Sequence, residues 1–165
     1  MPKDEYDYFT QEWDSIIRNF WGPFNHKVEE KRKAFVADMN KAGVGLLAGS
    51  DTGELGLIYG FSLHEELMSL QNAGLTPLEV LQTATINPAK YQNSIDSLGT
   101  VEVGKLAEMV LLNSNPLTNI KNTQNIEGVF TNGKYLNREE IDSILLSVET
   151  YIKKENQPAG NNVYN

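Results

Sequence analysis

An α/β fold is the expectation from this sequence, and three observations carry it. A polar, helix-like stretch closes on Gly43 and runs straight into the apolar residues Val44 to Ala48, the helix–glycine–strand rhythm of an α/β unit. Helix signals then follow one another from Phe61 to Lys90. From Leu98 the apolar period changes to that of strands. Length sets a limit: 165 residues suffice for one domain with a core, but a closed (β/α)8 barrel needs roughly 200 or more.

The elements follow in order. Residues 3–24 mix acids with Tyr6, Tyr8, Phe9, Trp13, Phe20 and Trp21, which reads as an amphipathic helix packed on something larger, with a lid over a pocket as the alternative. Trp21-Gly22-Pro23 should stop it. Residues 25–42 look helical, with Val28, Phe35, Met39 and Ala42 on one face and the run Glu29 to Lys33 in solvent. Gly43 suits the closing position of that helix. Val44 to Ala48, flanked by glycines, suits a buried parallel strand. These glycines precede the strand and have the wrong spacing for a dinucleotide fingerprint.

Phe61 to Ala73 reads as a helix with Leu63, Leu67 and Leu70 on one face. Ser62-x-x-Glu65 has capping spacing. Thr76-Pro77-Leu78-Glu79 is a strong helix start, because Thr76 can cap, Pro77 fits the first helical position and Glu79 can complete a capping box. That helix should run to about Thr85, and Asn87-Pro88 should start a short one. Val101, Val103 and Met109 to Leu112 are strand-like. Asn115-Pro116 marks a turn. Val129-Phe130-Thr131, Asn132-Gly133 and Lys134-Tyr135-Leu136 form a hairpin signal. Asn137 with Glu140 is a further capping-box pattern, and Ile141, Ile144, Leu145, Val148 and Ile152 trace a helical stripe. Residues 156–165 read as a frayed tail.

Composition removes several function classes. There is no cysteine, so disulfide scaffolds, thiolate metal sites and cysteine nucleophiles are excluded. Two histidines, His26 and His64, cannot build a histidine-rich metal cage. The formal net charge of −8 argues against nucleic acid as a partner. No apolar run reaches the roughly 18 residues of a membrane span. The acidic, aromatic N-terminus lacks the pattern of a signal peptide. The chain reads as soluble, cytoplasmic or exported according to any signal upstream of Met1.

Asp51 is the first candidate for chemistry. A carboxylate just past a buried strand stands at the strand's C-terminal mouth, where α/β folds place catalytic groups. There it can ligate a metal or accept a proton from water. The bland alternative is a turn aspartate bonding its own backbone. His64 is the second candidate: near a helix N-terminus it is held neutral, able to ligate or to hydrogen-bond. Its bland alternative is a partly buried structural histidine. His26 reads as surface or cap. Ser50 resembles no nucleophile elbow.

Taken together, the motifs resemble the amidohydrolase superfamily, in its imidazolonepropionase-like and prolidase-like subgroup. The residues that carry the resemblance are Ala42-Gly43-Val44 leading into Leu47 to Gly53, then Ser62 to Leu67, Ala73 to Leu81 and Ala84 to Lys90. Leu98 to Leu112, Asn115-Pro116-Leu117 and Val129 to Lys134 complete it. Residues 1–40 and 138–165 add little. The resemblance implies a metal-dependent hydrolase acting on amide, cyclic amide or dipeptide-like C–N bonds, on a (β/α)8 barrel with a small β-sandwich beside it. It divides the chain into residues 1–97 as the last βα portion of the barrel, 98–136 as C-terminal strands of the sandwich, 137–155 as a helix and 156–165 as a tail. It makes Asp51 a catalytic residue and metal ligand, with Thr52 and His64 bordering the substrate. Glu108 stands where the family has aspartate, in a structural role.

The departure from the family is as informative. No His-x-His pair is present, and a catalytic zinc site needs about three protein ligands. The expectation is therefore the C-terminal portion of an amidohydrolase, whose complete form takes one or two divalent ions, zinc foremost, and a small-molecule or short-peptide substrate. The expected partner is the missing N-terminal barrel portion or a second chain carrying it, and self-association is also allowed. The alternative is a non-catalytic assembly module that completes a barrel with that second chain.

Overall fold

A computed structural model describes residues 22–51 and 59–155. Thr52, the loop after it, the aromatic segment before Gly22 and residues 156–165 lie outside the described residues. Two units emerge, one of residues 27–138 and one of residues 1–26 with 139–165.

Helix α1 spans Gly22–Lys41. It begins earlier than the sequence suggests, because Gly22-Pro23 opens this helix, the end at which proline costs nothing. Gly43, at φ +77°, closes it. Its N–H donates to Asn40 O, and the Val44 N–H donates to Met39 O, the paired bonds of a Schellman ending. The core-facing residue is Val36. Phe35, expected inside, is exposed.

Residues 44–51 form no strand, which corrects the expected buried parallel strand. A strand exists through a neighbour's backbone, and no described strand lies beside this segment. Its burial alternates. Leu46, Ala48 and Ser50 are half-covered, while Val44, Leu47, Gly49 and Asp51 are exposed. One face is packed and the other is bare, with a period of two residues.

The covering layer is helical. Helix α2 is Phe61–Asn72, α3 is Pro77–Ala84 and α4 is Ile86–Tyr91. Leu67 and Leu70 of α2, Leu75, Val80 of α3 and Ile120 make the buried cluster, with Leu46, Ala48 and Val36 packed against it. The capping box at Thr76 forms: the Glu79 N–H donates to Thr76 Oγ1, and the Thr76 N–H donates to Glu79 Oε2 at 2.7 Å. The Ser62 pattern does not. Gly60 occupies the N-cap without a side-chain bond, and Ser62 is buried within the helix.

The remainder is a three-stranded antiparallel sheet in the order β1 (Met109–Leu112), β2 (Ile126–Thr131), β3 (Lys134–Asn137). Val129 pairs with Val110 on one side and with Leu136 on the other. Asn132 and Gly133 have φ of 50° and 72°, which makes the expected hairpin turn with both central residues left-handed. Glu108 clamps this turn: Thr131 Oγ1 donates to one carboxylate oxygen at 2.6 Å and the Asn132 N–H to the other at 2.8 Å. Tyr135 covers Gly128 and stacks on Phe130, with ring centroids 4.6 Å apart. Val101 and Val103 are not in a strand but in an exposed turn region. There Lys105 donates to Ile95 O and Thr100 Oγ1, fastening the segment to the end of the helical layer.

Helix α5 is Arg138–Glu155, and from Glu139 onward it belongs to the other unit. Ile144, Leu145 and Val148 of its apolar stripe are exposed. Among the described residues no helix is long and apolar enough to cross a membrane.

Candidate functional site

Asp51 ends the segment of residues 44–51. Its backbone has φ +50°, a left-handed conformation that aspartate tolerates better than most residues. The carboxylate is exposed. Three contacts hold the segment that presents it. The Ala48 N–H donates to Thr83 O at 3.0 Å. Asn87 Nδ2 donates to Leu46 O at 2.9 Å. Ser62 Oγ donates to Ser50 Oγ at 3.2 Å. The helical layer thus grips the packed edge of the segment and leaves Asp51 reachable by a ligand.

His64 stands two residues after Ser62, about 200° further around α2. Ser62 therefore reaches the segment bearing Asp51, while His64 reaches a 3-10 turn at Ile120–Gln124. There His64 Nδ1 lies 3.0 Å from Thr123 Oγ1, and Thr123 in turn donates to Ile120 O at 2.8 Å. Burial lowers the His64 pKa below its ordinary value of 6.5, because desolvation disfavours the imidazolium. His64 lines an open, largely apolar groove of about 740 Å³, whose walls include Leu63, Leu81, Leu98, Leu106 and Ile126. Asp51 is not part of that groove. Asp51 and His64 thus serve different surfaces within the described residues, and Thr52 lies outside them. His26 falls in α1, where its backbone alone is described.

Two residues of these arrangements escape sequence reasoning. Asn87 and Thr123 act across 41 and 59 residues of chain respectively, and no local pattern marks either.

Among the described residues no group of three or more His, Cys, Asp or Glu is placed to hold a metal ion. Asp51 can supply one carboxylate oxygen donor. By themselves the described residues do not fit a catalytic metal centre.

Comparison with known proteins gives the class of the chain. Residues 22–136 match the Amidohydrolase family, and the chain belongs to that family. Solved structures of hydrolases are similar to this chain. One is a Xaa-Pro dipeptidase with bound methionine, at 26% identity and a TM-score of 0.58, over 64% of this chain and 25% of that one. Another, a Bifidobacterium longum protein described as a prolidase, has 27% identity and a TM-score of 0.57, over 69% of this chain and 30% of that one. Molinate hydrolase superposes over 94% of this chain and 34% of its own, with 25% identity and a TM-score of 0.67. The chain thus spans about a quarter to a third of the length of these structures. Curated proteins yield no match.

Proposed function

We propose that this chain supplies the closing section of an amidohydrolase active site that cleaves C–N bonds in amide, cyclic amide or dipeptide-like substrates. The family match and the hydrolase neighbours support the reaction class. The observation that carries the site is Asp51, an exposed carboxylate at the end of a segment gripped on one face by helices. Its role is to accept a proton from the attacking water, with Thr52 and the loop up to Gly60 bordering the substrate.

The family resemblance assigns zinc or another divalent ion to the complete enzyme, with Asp51 as one ligand. Because the described residues gather no ligand set, the remaining ligands are assigned to polypeptide beyond them. In a complete polypeptide bearing these residues, Asp51→Asn should lower kcat/KM on Xaa-Pro dipeptides by about 10²- to 10⁴-fold. Retained activity would sink the assignment.

The bare face of residues 44–51 favours a second reading, a non-catalytic module that completes a barrel with another chain. Leu47 on that face is 42% exposed, apolar surface of the kind an interface covers. A complex that assembles fully yet works equally well with Asp51→Asn would favour this reading over the first.

A further inference from the structure

The His64 imidazole has one hydrogen bond among the described residues, at Nδ1. The Thr123 hydroxyl has Ile120 O as an acceptor 2.8 Å away. With its hydrogen given there, its oxygen has only lone pairs to offer His64, and the 3.0 Å contact takes its hydrogen from Nδ1. A neutral imidazole carries one N–H, and Nε2 is left as a bare acceptor. No buried side-chain nitrogen or oxygen lacks a partner among the described residues. Nε2 therefore does not end in a sealed void, and His64 is among the residues that line the groove. The 3-10 turn is itself fixed, since Ile120 is 2% exposed and Thr123 is 8% exposed. Asn119 Oδ1 also caps the turn, accepting from the Lys121 N–H at 3.1 Å.

We propose that Thr123 is a positioning residue that locks His64 as the Nδ1–H tautomer, making Nε2 a preset acceptor for a ligand group that donates a hydrogen bond, such as an amide N–H or a hydroxyl. Serine can replace threonine in this role and valine cannot, because the device needs the oxygen and not the methyl group. The lock depends only on Thr123, Ile120 and the ring, so it stands apart from the assignment of Asp51 and from the reaction.

Nitrogen-15 spectra of histidine-labelled full chain test it, with the His26→Gln variant assigning the two rings. Above the imidazole pKa, His64 should show a protonated Nδ1 and an unprotonated Nε2. Thr123→Val should release the ring to a mixture of tautomers or to Nε2–H, and Thr123→Ser should restore the native spectrum. Diethyl pyrocarbonate should acylate His64 at Nε2. An Nε2–H tautomer in the native chain overturns the proposal, as does an unchanged spectrum in a folded Thr123→Val, or a His64 shielded from the reagent. If Thr123→Val fails to fold, the native spectrum and the serine variant still decide.

Discussion

Glu108 shows how much a single carboxylate can organise. Bonds first from the Thr131 hydroxyl and then from the Asn132 N–H hold its pKa below the ordinary value of 4.5. Glu79 is lowered in the same way by the Thr76 N–H, the Thr76 hydroxyl and Asn40. For a carboxylate with a depressed folded pKa, the added stability is fully present above the unfolded value and is lost as pH falls through the folded one. Urea midpoints measured from pH 6 downward should therefore fall less steeply below about pH 4.5 in Glu108→Gln than in the native chain. Identical slopes would show that the clamp adds nothing. Its partners are legible in part from sequence, because Thr131 and Asn132 flank an obvious turn. That Glu108 closes on them is not legible, because the pairing of β1 with β2 brings residues 23 and 24 positions apart together.

At the scale of elements, what is local could be read and what is relational could not. The Thr76 capping box occupies four consecutive residues and forms as its spacing implies. Thr76→Ala should cost about 1 kcal/mol, read as a lower thermal midpoint with unchanged helical content at low temperature. The Asn-Gly hairpin succeeded for the same reason. Val44–Ala48 and Val101–Val103 have strand composition but lack the neighbour that would make them strands. Ser62 has capping spacing, yet the helix starts just ahead of it at Phe61 and turns its hydroxyl toward Ser50. Gly99 is the element junction with least freedom. It has φ +90°, and a Cβ there would meet Ala89 Cβ at 2.8 Å and Thr85 O at 3.2 Å. Gly99→Ala should destabilise by at least ~1–2 kcal/mol from the left-handed backbone alone, and the clash with α4 adds to it. A urea midpoint equal to the native one would refute that packing.

At the scale of the whole chain, the core formed by the described residues is small. Leu67, Leu70, Leu75, Val80 and Ile120 are its buried apolar cluster, so Ile120→Ala should cost about 2–5 kcal/mol, read from the urea midpoint of equilibrium unfolding. Elemental analysis of the purified chain should find zinc well below one equivalent, because Asp51 stands without companion ligands among the described residues. A full equivalent held through dialysis would place a complete metal site on this chain. The family and its α/β character were legible from motif order, since turns and caps keep their spacing. The separation of His64 from Asp51 was not legible, since it depends on Ser62 and His64 facing different sides of α2.

The half-covered segment before Asp51 also sets a clock. Between Gly45 and Asp51, among the described residues, the amide of Ala48 alone donates to a backbone carbonyl. In deuterium exchange Ala48 should be slow between fast neighbours, an isolated protected site in an otherwise open stretch. A second polypeptide strand laid along the free edge would slow the alternate amides Gly45, Leu47 and Gly49. Exchange at three amides would then report whether the surface around Asp51 is occupied, without any substrate being known.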